Sequence, residues 1–330
     1  MDIVACYAQS LSLGHTLLCK NIRSCTITAY IDAISSLFKS HPYGLKDPTK
    51  SPTGTGKTKL IAKVIGEHRR WESMPNRREP VTKSMLLWML NSAQPHDSCS
   101  LQAALADWAL LALHFGFRLS EFLQTKDNIT HKKIQRNIDG LPQAFILSDI
   151  KFFGNGKQHL VINHSSRVNP LTVESFSITW RYQKNLQNGE HKLMTRNDKN
   201  TKLCTVRAML RICHRATILC IQQSTPLAVY QSPHGKPTFI THKHMETMIR
   251  LAAYKTYKLK KKADLAKFSC HSLRVGACVM LHIAGFSTDD IKFELRWRSD
   301  SFRDYLRNVV STASAKTMAI TNFDPDEVNF

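Results

Sequence analysis

The residues best suited to chemistry lie towards the end of the chain. Ser269-Cys270-His271-Ser272-Leu273-Arg274 sets an imidazole three positions before a guanidinium, which on a helix is one face. Leu295-Arg296-Trp297-Arg298-Ser299-Asp300-Ser301-Phe302-Arg303-Asp304-Tyr305 follows with an indole and a phenol. Upstream, Phe117-Arg118-Leu119-Ser120-Glu121 closes the apolar run Leu110 to Phe117, and Tyr182-Gln183-Lys184-Asn185 precedes Asn188-Gly189. Guanidinium groups are planar forks that match the oxygens of a phosphate, and imidazole and ammonium groups move protons.

Each short pattern also occurs elsewhere. His164-Ser165-Ser166-Arg167 repeats the His-x-x-Arg spacing, and Arg69 and Glu72 repeat Arg-x-x-Glu. Their context separates them. No tyrosine lies between Tyr182 and Tyr230, and Arg69 sits in a polar basic helix. Gly54-Thr55-Gly56-Lys57-Thr58 imitates the end of a phosphate-binding loop, but Ser51 stands where its first glycine belongs. Polar Lys46 to Lys50, with Pro48, supplies no buried strand to feed such a loop. A basic turn is therefore expected there, without nucleotide.

In order, Arg118, Lys184, His271, Arg274, Trp297 and Tyr305 resemble the tyrosine recombinase (phage integrase) family. The motifs span about residues 82 to 310. Met74 to Val81, with Trp-Arg-Ser-Asp-x-Phe-x-x-Tyr-x-Arg from Trp297, looks more like mobile-element recombinases of the Crypton type. In one departure, Leu295-Arg296-Trp297 replaces the common Leu-Gly-His. The resemblance implies a site-specific recombinase or integrase that cleaves and rejoins double-stranded DNA through a 3′-phosphotyrosine, without ATP, metal or other cofactor. Tyr305 would be the nucleophile. Arg118 and Arg274 would hold the non-bridging oxygens, and His271 and Trp297 would add donors, with His271 also a candidate to take the tyrosine proton. Lys184 would protonate the leaving 5′-oxygen, with Lys192 on the return strand and Lys151 and Lys157 beside an earlier strand-like segment as its rivals. Glu121 would orient a neighbour. A homo-tetramer on two DNA sites is implied, joined by an exchanged C-terminal segment for which Thr317 to Phe330 would serve. Two rival functions use the same scaffold: a non-catalytic DNA-binding protein, and a type I topoisomerase-like enzyme that relaxes DNA. A nucleotide-dependent enzyme using Lys57 is a third.

These residues need elements to position them. The expected fold is mainly α with a small antiparallel β-sheet. A helical N-terminal core-binding domain (1–73) and a linker (74–81) precede a catalytic domain (82–330). Ile27, Tyr30, Ile31 and Ile34 mark one helix face, and Lys59 to Trp71 a short basic helix. In the second domain the spacing predicts helices from about Thr82, over Leu101 to about Leu123, Thr205 to Gln222, His242 to Tyr257, His271 to Ala284, Asp289 to Leu295 and Asp300 to Asn308. Short strands are expected at Ala144 to Leu147, Leu160 to Ile162 and Phe176 to Tyr182. Asn188-Gly189 then reads as a two-residue hairpin turn, with Glu190 to Arg196 returning. The N-terminal domain is short for the family, which allows for a missing leading helix.

Composition agrees with a polyanionic partner. The 330 residues carry 46 Lys plus Arg against 25 Asp plus Glu, a net charge of +21. The run Lys258-Leu259-Lys260-Lys261-Lys262 suits a DNA-backbone contact or nuclear import. No apolar run approaches the roughly 18–20 residues of a membrane span. Nine cysteines, without Cys-x-x-Cys, suit a reduced, intracellular, DNA-associated protein, nuclear if the host is eukaryotic. Cys213 and Cys220 are expected on one packed helix face rather than on zinc.

Overall fold

The computed structural model describes residues 2–15, 22–53, 56–72, 77–94, 96–124, 140–154, 158–160, 172–183, 188–297 and 300–306. The chain divides into two compact units, residues 1–76 and 77–330.

The first unit is three helices closed on one small core. Asp2 caps α1 (Ile3–Ser12) by accepting from the Ala5 amide at 3.0 Å. Thr58 caps α3 (Lys59–Trp71), and its hydroxyl also reaches the Asp2 carboxylate at 3.1 Å, tying the two helix starts together. α2 (Ser24–Lys39) packs Ile27 and Ile31 against Val4, Ala8, Leu11, Ile61 and Ile65. Tyr30, expected on that face, is exposed instead. Lys57 forms an ion pair with Asp32, and Lys50 and Lys57 face each other in an isolated antiparallel bridge. Gly56 and Lys57 thus lead into α3, whose start Thr58 caps, and Gly54 and Thr55 lie outside the described residues.

In the second unit, α4 (Lys83–Ala93) and α5 (Leu101–Phe115) begin at side-chain caps, Thr82 and Ser100. α5 is apolar almost all round and is the central helix, packed by α4, α7 (Thr205–Ile218) and α10 (His271–Ile283). Its one buried acid, Asp107, is met by Arg211 at 2.6 Å and Arg215 at 2.7 Å from α7. The helix expected to run to Leu123 ends at Gly116, whose φ of +58° turns the chain. A Cβ there would lie 2.6 Å from the Leu295 side chain, so only glycine allows this turn and this packing together. A single further turn, α6 (Leu119–Phe122), follows.

The main sheet is antiparallel throughout, in the order β2-β1-β3-β4. Its strands are β1 (Ile150–Gly154), β2 (Gln158–Leu160), β3 (Ser175–Trp180) and β4 (Glu190–Thr195). Several details differ from expectation, beginning with β1, which was not among the expected strands. Ala144 to Leu147 is not a strand: Asp149 accepts from the Ile146 amide at 2.8 Å, Arg181 donates to the Ala144 carbonyl at 3.0 Å, and Phe145 bonds to the Glu121 carbonyl and the Leu227 amide, each at 2.9 Å, so its backbone is satisfied outside any sheet. β3 stops at Trp180, so Asn188-Gly189 ends a longer connection, where the Asn188 side chain accepts from the Gln183 amide at 2.7 Å. A second hairpin, β5 (Val229–Gln231) with β6 (Pro237–Phe239), turns at Gly235.

α8 (His242–Tyr257), α9 (Lys262–Leu265), α10, α11 (Thr288–Glu294) and α12 (Arg303–Leu306) complete the described residues. Asp300–Phe302 forms a 3-10 turn leading into α12. Residues 77–81 run along this unit. The Glu79 amide donates to Lys267 and the Val81 amide to Ser272, at 3.1 and 2.9 Å. Gly276 on α10 permits that approach: a Cβ would lie 2.3 Å from the Val81 carbonyl oxygen. Cys213 is buried, whereas Cys220 lies beyond the end of α7 and is exposed, so the two share no packed face. Among the described residues no cluster suits a metal ion, and no helix is long and apolar enough to cross a membrane.

Candidate active site

The site forms where the ends of α5, α10 and α11 meet. Arg118 immediately precedes α6, and its amide donates to the Glu121 carboxylate at 2.9 Å. Its guanidinium returns to the same carboxylate at 3.3 Å. Glu121 is buried and also accepts from the Trp180 indole at 3.2 Å and from Arg296 at 3.0 Å. One carboxylate therefore organises two arginines and the end of β3.

Arg274 lies one helical turn after His271 and is only 5 % exposed. It donates to the Gly116 carbonyl and, at 2.7 Å, to the Leu295 carbonyl. Its guanidinium lies 5.0 Å from the centre of the Trp297 ring. Both of its hydrogen bonds among the described residues thus end on neutral carbonyls. Burial pushes the guanidinium down to about 9, and the nearby Arg118 charge adds to that fall. Arg274 still carries its charge at neutral pH, in a place where an arriving anion would relieve it.

His271 opens α10. Its Nε2 lies 3.0 Å from the Tyr305 hydroxyl, and the rings are 5.9 Å apart. Desolvation of the imidazole, reinforced by Arg274 and Arg78, holds its pKa below the ordinary 6.5, so the ring is neutral at pH 7. Trp297 is 5.9 Å from the Tyr305 ring and 5.0 Å from Phe302, and Phe302 and Leu306 anchor the segment on Ala277, Ile291 and Leu295. The phenol is thereby held at the mouth of the site by apolar packing, with its oxygen turned to the histidine.

The structure brings together Arg118, Glu121, His271, Arg274, Trp297 and Tyr305 of the residues singled out by sequence. Lys184 lies outside the described residues. Lys192 on β4, the other lysine of that hairpin, pairs with Glu294 and lies 5.7 Å from the Phe115 ring. Three contributors were missed: Trp180, Gln183 and Arg296. The signal available was Arg296, a long cation where glycine is common.

The arrangement can hold an oxyanion between arginine forks, beside a phenol whose proton has a neutral imidazole as acceptor. The sequence matches no protein-family model and none of the curated proteins. Solved structures that it resembles include integrases and recombinases. The Tn1549 transposon integrase in complex with transposon right end DNA is 12 % identical, with a TM-score of 0.49, over 96 % of this chain and 85 % of that one. The XerH site-specific recombinase bound to difH substrate is 12 % identical, with a TM-score of 0.48, over 95 % and 69 %. XerA recombinase is 12 % identical, with a TM-score of 0.40, over 98 % and 99 %.

Proposed function

We propose that the second unit is a DNA strand-transferase of the tyrosine recombinase type, which cleaves and rejoins duplex DNA through a phosphotyrosine. The observation that carries this reading is the 3.0 Å contact between His271 Nε2 and the Tyr305 hydroxyl beside Arg274. A phenol near a neutral imidazole and a buried guanidinium whose hydrogen bonds end on carbonyls is a nucleophile placed against an anion site.

The chemistry follows from the groups. The scissile phosphate enters between Arg118 and Arg274, whose forks take the two non-bridging oxygens and the charge that grows on them. His271 accepts the phenolic proton while Tyr305 attacks phosphorus in line. A Tyr–O–P bond forms as the bond to the 5′-oxygen breaks. Lys184 gives that oxygen its proton and leaves a free 5′-hydroxyl. The phosphodiester energy is stored in the protein–DNA bond. Attack by another 5′-hydroxyl reverses the step, and neither ATP nor a metal takes part. Trp297 braces Arg274 and Tyr305 from one side.

The three-helix unit would grip the duplex backbone, as would the basic run from Lys258. A homo-tetramer on two DNA sites and a role in moving a mobile element belong to this reading. Supercoil relaxation run beside recombination between two sites tests it. Exchange of flanking DNA supports a recombinase. Relaxation without exchange assigns the chemistry to a topoisomerase, and loss of both with DNA binding retained leaves a binding protein.

A further inference from the structure

α11 ends in a way that ordinarily calls for glycine. The Trp297 amide reaches back to the Lys292 carbonyl at 2.9 Å and the Arg296 amide to the Phe293 carbonyl at 3.1 Å. This is the Schellman pattern, and it sets the residue after the C-cap in the left-handed region. That residue is Arg296, at a φ of +55°. A side chain with a Cβ is strained there, and this one is also a cation, only 4 % exposed. Both costs need a return.

The return is visible in its contacts. Nε donates to the Gln183 side chain at 3.1 Å, Nη1 to the Phe115 carbonyl at 3.4 Å and Nη2 to Glu121 at 3.0 Å. The guanidinium lies 3.8 Å from the centre of the Trp180 ring. The Arg296 carbonyl oxygen accepts from Arg118 Nη2 at 3.3 Å, while the preceding carbonyl, of Leu295, accepts from Arg274. The turn thus presents successive carbonyls to the two phosphate-binding arginines. Its one long side chain reaches from there to the end of α5, the end of β3 and Gln183, next to Lys184.

We propose that Arg296 is a positioning residue of the strand-transfer site: it holds Arg118 in place from two directions, through its own carbonyl and through Glu121. It also anchors the β3–β4 connection at Gln183. This rests on the strand-transfer reading above. A lesser role, as a core ion pair only, makes different predictions.

The test uses Arg296→Gly, Arg296→Lys, Glu121→Gln and the double variant of Arg296→Gly with Glu121→Gln. Glycine suits the turn, so Arg296→Gly relieves backbone strain while removing the side chain. The probe is a nicked duplex library, randomised around the nick, on which covalent protein–DNA adduct is timed. Positioning predicts that Arg296→Gly slows adduct formation about 100-fold, with DNA affinity within about 3-fold of wild type. Arg296→Lys recovers part of the rate. The double variant is little slower than the slower single variant, because both act on Arg118 through one network. Limited trypsin digestion reads the anchor without catalysis: cleavage after Arg181 accelerates in Arg296→Gly, while cleavage within 258–262 does not. Wild-type adduct rates in Arg296→Gly, or rate losses that multiply in the double variant, overturn the proposal. Unchanged cleavage after Arg181 overturns the anchor. If wild type itself forms no adduct, the strand-transfer reading fails and the positioning role of Arg296 with it, whereas the trypsin result still decides the anchor.

Discussion

His271 Nε2 lies 3.0 Å from the Tyr305 hydroxyl, across 34 positions of sequence. The contact is made because α10 and the Asp300–Leu306 segment share one apolar cluster, Ala277, Cys278, Ile291, Leu295, Phe302 and Leu306. Packing therefore sets the distance between the proposed proton acceptor and the proposed nucleophile.

Its pH dependence has a definite sign. His271 must be neutral to take the phenolic proton, and its pKa lies below 6.5 because the ring is desolvated and sits near Arg274 and Arg78. Activity is then full above that depressed value and falls on acidification only below the range of a free histidine. Arg78→Ala, which removes one of the opposing charges, should move the acid limb of the adduct-rate profile upward. A profile of cleavage rate against pH for both proteins checks this.

Arg118 and Arg274 should respond differently to substitution. Arg118→Lys keeps a charge but loses the fork, and adduct formation should fall about 100- to 1000-fold with the fold intact. Arg274→Ala should also destabilise the protein. It strands the Gly116 and Leu295 carbonyls, each a loss of about 1–3 kcal/mol if left unpaired. Thermal unfolding beside the cleavage rate separates the two cases.

Gly276→Ala should be costly away from the chemistry. Its Cβ would meet the Val81 carbonyl at 2.3 Å and the Leu113 side chain at 2.8 Å. Overpacking of this kind costs about 1–3 kcal/mol, read as a lowered unfolding midpoint in denaturant.

Lys57→Ala should leave strand transfer and ATP titrations unchanged. Lys57 is paired with Asp32 in a basic turn, and an exposed pair of this kind is worth at most about 1 kcal/mol. ATP binding that disappears in Lys57→Ala would contradict that reading.

How far the sequence revealed the site depended on the kind of contact. Helices such as Lys59–Trp71 and His242–Tyr257 were legible from their residue patterns, and the structure adds the caps at Thr58 and Thr241 that begin them. Arg118, His271, Arg274, Trp297 and Tyr305 were legible through their types, spacing and order. Arg296 was not, because its role depends on a positive φ and on reaching Trp180 and Gln183 across the chain. Nor was the break at Gly116, since Leu119, Phe122 and Leu123 continue a helical spacing past it, and the glycine is required by a positive φ and by the approach of Leu295, both set by the fold. Asn188-Gly189 carried the right turn residues but not the length of the connection, which is set by where β3 leaves the sheet at Trp180.

The most direct test is covalent capture on the randomised nicked library, with wild type beside Tyr305→Phe. The account predicts an SDS-stable adduct for wild type, joined to DNA through the peptide containing Tyr305, with a free 5′-hydroxyl on the other strand end. It predicts none for Tyr305→Phe, which should still bind DNA. An adduct that survives Tyr305→Phe, or a wild type that binds but never forms one, would contradict it.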